Sequence, residues 1–278
     1  MADIPAQLVK QLRDRTGAGM MDAKKALEES SGDIEQAIDL LRAKGLAKAA
    51  KKGDREAKAG VIGIRCEAAH GVAVEINSET DFVARNERFQ AFAGKVIDAA
   101  FACNGDMAAL LTKELEEELN VEMATIGERI ALGRADSVSV ERGAVIPYLH
   151  NKLGPRTGLI GVLLGIESSA PRDKIIEIGD QLAMHIAAAN PLFLDIASVS
   201  EEALGRERAV ARERALSSGK PEAIAEKMVD GAVRKYYEEA VLLEQAFFID
   251  PAKKVKDVLK DISPDARIAK FVRYQIAG

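Results

Sequence analysis

At Gly60 the spacing of apolar residues changes from three or four to two, and this change constrains the fold more than any other feature. Ile62, Ile64 and Cys66 alternate with Gly63 and Arg65. After Ala69-His70-Gly71, Val72, Val74 and Ile76 alternate again. Successive side chains of a strand point to opposite faces, so two such runs around a short turn predict a β-hairpin. Asn77 to Asp81 then leads into a helix whose apolar positions include Phe89, Phe92, Ala93, Val96 and Ile97. An acidic helix from Leu110 to Leu119 and another around Val121 to Ile126 are expected next. The strand–strand–helix order returns about 85–90 residues on, which is the mark of an internal duplication. Val145 to His150 and Leu159 to Ile166 read as strands, and Arg172 to Ala189 as the helix. The fold class expected is α+β, with a core of two related β-β-α subdomains.

Before Gly60 the period is helical. Leu8, Val9 and Leu12 share one face of a first helix, and Thr16-Gly17-Ala18-Gly19 breaks it. A second helix is expected from Asp22 to Ser30. A third is expected after Asp33, with Gln36 as its capping-box partner and Gly45 as its stop. Three short helices bury little surface, so this module is expected to attach loosely. Ala47 to Lys58 is small, charged and without an apolar face, which reads as a linker. After Pro191, Ser200 caps a helix running to Leu216. Ser217 to Pro221 turns the chain, and Glu222 to about Tyr236 is helical again. That is an antiparallel helical hairpin, whose polar character predicts a projection from the core. Ala240 to Leu243 and Ile268 to Ile276 return to a strand pattern, with a helix from Val255 to Asp261 between them. The division expected is a three-helix domain over 1–55, a first subdomain over 56–140, and a second over 141–278 with the hairpin inserted near 195–235.

Composition removes several classes of function. The chain has 278 residues and a net charge of −5. Phosphate neutralisation needs clustered Lys and Arg, so direct nucleic-acid or ribosomal RNA binding is not expected. Aromatics are 4 % and Trp is absent, which leaves little for stacking bases. No run of apolar residues is long enough to span a membrane, and no secretion or transit signal opens the chain; a cytoplasmic protein is expected. Cys66 and Cys103 are distant and outside any CxxC, as expected of reduced thiols. His70, His150 and His185 stand alone, without metal spacing. No phosphate-binding loop and no nucleophile elbow occur. No catalytic residue, cofactor or metal is expected, and the protein is not expected to be an enzyme. The run of glutamates from Glu114 to Glu118 reads as a solvated helix face.

Two places resist a bland account. Thr80-Asp81-Phe82-Val83 puts an aromatic ring beside a carboxylate at a strand-to-helix corner, where the second copy has only Ser168-Ser169-Ala170-Pro171. Either Asp81 caps the helix while Phe82 packs inward, or Phe82 protrudes as an anchor for a partner. Met20 and Met21 are adjacent and cannot both face a helix core. Flanked by Arg13, Lys24 and Lys25, they suit an adaptable apolar contact.

At these residues the sequence resembles the bacterial elongation factor Ts family. Leu12 to Leu27 (LRDRTGAGMMDAKKAL) is similar to that family's N-terminal signature, and Glu75 to Val83 (EINSETDFV) to its second. Ser218 to Glu222 and Ala225 to Met228 resemble its helical hairpin. The resemblance implies a guanine-nucleotide exchange factor that promotes GDP release from the translational GTPase elongation factor Tu, in its GDP-bound and nucleotide-free states. It implies that Lys10, Arg13, Met20, Met21 and Lys24 contact the partner's nucleotide-binding domain. It implies that Thr80, Asp81, Phe82 and Val83 dislocate the partner's Mg²⁺, supported by Ile126 and Gly127. His150 matches a family position that reaches another partner domain, although Asn151-Lys152 after it departs from the family pattern. A homodimer or a 2:2 complex is compatible with the hairpin.

Overall fold

A computed structural model describes residues 4–50, 55–217 and 221–277. Three helices come first, α1 (Ala6–Thr16), α2 (Met20–Glu29) and α3 (Ile34–Ala50). Val9, Leu12, Ala23, Ala26, Leu27 and Ala37 close a small core between them. Gly17 ends α1 in the left-handed region, φ +69°, which glycine enters without strain. Asp33 accepts from the Gln36 N–H at 2.9 Å, which is half of the expected capping box. Gly45 does not stop α3, which continues to Ala50. The first residues of the expected linker are therefore helical, and 51–54 lie outside the described residues. A glycine inside a helix costs only about 1 kcal/mol, and here the helix is backed by another one.

The hairpin forms as expected, from β1 (Ala59–Glu67) and β2 (His70–Ser78), in register Ile62↔Glu75 and Ile64↔Ala73. The chain continues through α4 (Asp81–Ala84), α5 (Glu87–Ala102), α6 (Met107–Leu110) and α7 (Lys113–Ile126). The two helices expected between Leu110 and Ile126 are thus one. Thr112 caps it by accepting from the Leu115 N–H at 3.3 Å. Next come β3 (Ile130–Ser139), β4 (Gly143–Gly154), β5 (Thr157–Glu167) and α8 (Arg172–Ala189). The expected helical pair is α9 (Glu201–Ser217) and α10 (Glu222–Ala240), the first capped by Ser200, whose Oγ accepts from the Ala203 N–H at 3.2 Å. Then follow α11 (Val255–Ile262) and β6 (Arg267–Gln275). Ala240 to Leu243 is not a strand. Val241 makes a single bridge to Phe193, and a 3₁₀ turn follows from Leu242 to Glu244.

The six strands among the described residues join one antiparallel sheet, ordered β3-β2-β1-β5-β4, with β6 also on β5. Helix α5 covers the first half of the sheet around Phe89, Phe92, Val96 and Ile97. Helix α8 covers the second half around Ile175, Leu182 and Ile186. A third core, with Ile62, Ile64, Val138, Val145, Leu163 and Val272, draws from both halves. Strand β3 was not anticipated, because Gly133, Arg134, Asp136 and Ser137 interrupt its alternation. It completes the repeat, since β3 pairs with β2 as β6 pairs with β5. Backbone details recur as well. Gly60 and Gly143 begin the two hairpins at φ +135° and +138°. A Cβ on either would collide with a carbonyl oxygen, of Ile76 in one half and Ile166 in the other.

His185 of α8 is buried against Phe247 and Phe248, the three rings in mutual contact. The Gln245 amide donates to the Glu239 carbonyl at 2.6 Å, which turns its Oε1 toward His185 Nε2, 2.9 Å away. Nε2 is therefore the protonated nitrogen. Burial pushes the imidazole below its ordinary value near 6.5. The folded state holds a neutral ring, while the unfolded chain protonates it. Its contribution is thus complete above about pH 6.5 and declines as pH falls through that value. Urea unfolding between about pH 7.5 and 5.5 should show a fall in stability that His185→Gln reduces. An unchanged pH slope in the variant would remove His185 as its source.

Candidate partner-binding site

The corner after β2 is built to point a ring outward. Ser78 is fully buried and its hydroxyl donates to the Thr80 carbonyl at 2.8 Å. Thr80, not Asp81, caps α4, its Oγ1 accepting from the Val83 N–H at 3.5 Å. The Thr80 hydroxyl donates to Glu128 Oε1 at 2.8 Å, and its N–H donates to Glu128 Oε2 at 3.0 Å. The Arg129 N–H donates to Glu79 at 2.7 Å, tying the same two segments again. Within this single turn Val83 and Ala84 sink into the core beside Phe89. A helix advances about 100° per residue, so the two positions before them must face out. Asp81 is exposed, and Phe82 is 81 % exposed, the most of any large apolar residue described. Phe82 does not pack inward.

In the second half the brace recurs without the ring. The Ser169 N–H donates to Asp265 at 2.9 Å, two residues before β6, just as Glu128 stands two residues before β3. Two residues after the braced N–H, where the first half has Phe82, the second half has Pro171. Gly127 ends α7 at φ +89°, its N–H donating to the Met123 carbonyl at 3.1 Å, and sends the chain straight into Glu128. Ile126 packs against the first-half core.

The three-helix module presents its residues on the side away from its core. Lys10 and Arg13 are exposed on α1 beside buried Val9 and Leu12. Met20 and Met21 are 57 % and 64 % exposed, so both face outward. Lys24 is exposed, 3.8 Å from Glu28. The module rests on the core rather than hanging from it. Arg42 pairs with Glu117 of α7, and Gly45 lies where a Cβ would be 3.2 Å from that of Ala124. The turn at Gly17 lies against Arg88 of α5, which binds buried Glu122 of α7 through Nε at 2.6 Å and Nη2 at 3.0 Å. His150 lies in the other half, exposed on β4 opposite Ile160, with Nδ1 3.2 Å from the Tyr148 hydroxyl. Asn151 after it takes φ +51°, a conformation that Asn tolerates.

Arg88, Glu122 and Glu128 have no local signal in the sequence. Each acts through a partner 34 or 48 positions away. Among the described residues no cluster of His, Cys, Asp or Glu could hold a metal, and no helix is long and apolar enough to cross a membrane. Cys66 and Cys103 are free and half-buried. Burial pushes the Cys66 thiol up to about 11, which keeps it protonated and unreactive.

Residues 79–278 match the family model described as Elongation factor TS. The chain is also similar to curated proteins named Elongation factor Ts. That of Paramagnetospirillum magneticum is 49 % identical over 287 residues, covering 99 % of this chain and 92 % of the relative. That of Rhodospirillum centenum is 49 % identical over 287 residues, covering 99 % and 94 %. That of Rhodospirillum rubrum is 48 % identical over 288 residues, covering 99 % and 93 %. With identity near one half along nearly the whole length and the family model matched over residues 79–278, the chain belongs to the elongation factor Ts family of translation factors.

Proposed function

We propose that the protein is a cytoplasmic guanine-nucleotide exchange factor for elongation factor Tu, and that it acts without covalent chemistry of its own. The observation that carries this reading is Phe82, 81 % exposed on a turn braced by Thr80 and Glu128. An apolar ring held rigidly in water has no folding role to explain it. In this reading residues 1–55 dock on the partner's nucleotide-binding domain through Lys10, Arg13, Met20, Met21 and Lys24. Residues 56–140 carry the wedge, and residues 141–278 reach a further domain through His150.

The wedge acts on a vulnerable point. Mg²⁺ demands near-ideal octahedral geometry at about 2.0–2.1 Å, so small displacements of its surroundings weaken it sharply. It bridges the nucleotide phosphates and offsets their charge. Asp81 and Phe82, pressed against the partner near that ion, loosen GDP without touching it. The coupling is reciprocal: the factor lowers GDP affinity by the same factor by which GDP lowers affinity for the factor. A ~10⁴-fold faster release requires about 5.5 kcal/mol off the barrier. One buried Phe supplies roughly 1.5–3 kcal/mol, so the remainder falls to the contacts that hold the wedge in place.

Release of labelled GDP from elongation factor Tu, followed with and without this protein, tests the reading. The protein should accelerate release at substoichiometric concentration and emerge unchanged. Release at the spontaneous rate under saturating protein would refute it.

A further inference from the structure

The exchange reading needs two contact sets, the Met20–Met21 face and the Phe82 corner, to meet one partner at once. Their relative placement is therefore part of the mechanism. Helix α3 packs along α7, where Arg42 pairs with Glu117 and Gly45 stands close to Ala124. Both contacts involve α3 alone. They lie along one helix–helix line and do not reach the α1–α2 turn. A third contact, off that line, is needed to fix the angle of the α1–α2 turn.

Arg88 makes it. The Nη1 corner of its guanidinium points at Gly17 and is the atom nearest to where a Cβ would stand, with Cζ 3.0 Å and Nη2 3.1 Å away. Gly17 thus serves twice, as the left-handed stop of α1 and as the bare position that lets the Nη1 corner of Arg88 come close. The other edge of the fork is bound by Glu122, a carboxylate only 8 % exposed. A buried carboxylate with a two-point grip leaves a guanidinium one orientation. Arg88 lies in the first turn of α5, six residues after Phe82, and Glu122 lies six residues before Glu128, which holds Thr80. The same residue thus touches the turn before Met20 and is rooted in the two helices that frame the wedge.

We infer that Arg88, oriented by Glu122, is a positioning residue that sets the angle between the Met20–Met21 docking face and the Phe82 wedge; its bearing on exchange rests on the function proposed above. Lysine cannot replace it. A single ammonium keeps the charge opposite Glu122 but has no second nitrogen corner to reach Gly17 while Glu122 holds the other edge. Glu122→Gln perturbs the grip from the other side, keeping the shape and losing the charge.

Two measurements on the full chain test this. Spin labels at Met21→Cys and Asp81→Cys, in a background carrying Cys66→Ala and Cys103→Ala, report the distance between docking face and wedge. One narrow distribution is expected, broadened about two-fold or more by Arg88→Lys and by Glu122→Gln. An unchanged distribution in both variants overturns the inference, whatever the protein does to GDP. In exchange assays Arg88→Lys should raise the concentration for half-maximal GDP release about ten-fold. In a chain already carrying Met20→Ala and Met21→Ala, the same change should add less than about two-fold, because there is no docked face left to orient. An equal penalty in both backgrounds would mark Arg88 as generally structural and overturn the inference. A wild-type chain that fails to accelerate GDP release refutes the exchange reading alone, and the distance measurement still decides the role of Arg88.

Discussion

Removing residues 1–54 should leave a folded protein that exchanges nucleotide about 10²–10⁴-fold less efficiently, with the loss in the concentration it requires. The sheet and the cores beneath α5 and α8 contain no residue from the module, so circular dichroism and a cooperative melt should survive. A modest fall in melting temperature is expected, because α3 covers Ala124 and pairs with Glu117. The effect on exchange is far larger, for a reason separate from stability. Two contact sets on one rigid body make the second contact intramolecular, and that gain disappears when either set is removed. At saturating protein the wedge still reaches its target, so the maximal rate should fall much less than the efficiency. Titrating the truncated chain against GDP-loaded partner separates the two. Full efficiency without the module would show that Met20 and Met21 have no docking role.

Much of this arrangement could be read from residue order. The period-two runs after Gly60 and Val145 determined both hairpins, because a strand with one buried face must alternate. The outward turn at Phe82 could be posed but not decided. Whether a ring caps a core or leaves it depends on which neighbours occupy the inward side of a single turn, and Val83 and Ala84 take it. The cap went to Thr80 rather than Asp81, because Glu128 holds Thr80 from 48 positions away. Strand β3 escaped notice because polar residues sit in its alternation; it is an edge strand, paired only with β2. At Gly45 the sequence suggests a helix stop, but the missing side chain serves close packing on Ala124 and α3 runs on. The module was expected to attach loosely, from the size of its own core. Its contacts with α7 and Arg88 are long-range and leave no periodic trace.

The second large effect belongs to the wedge. Phe82→Ala removes a side chain that is 81 % exposed and contributes little to folding, so stability should change by less than about 0.5 kcal/mol. The same truncation at Phe89, fully buried in the first-half core, would cost about 3–5 kcal/mol. Exchange should respond in the opposite order. Losing the ring lowers the maximal rate of GDP release by ten-fold or more, a barrier increase of about 1.4 kcal/mol. The concentration dependence, set by the docking face, should move little. Maximal rate and required concentration are thereby assigned to two different parts of the chain. The deciding measurement is the maximal rate of GDP release for Phe82→Ala at saturating protein, taken with its melting temperature. The wedge predicts a rate reduced at least ten-fold at an unchanged melting temperature; a wild-type rate from the folded variant would contradict it.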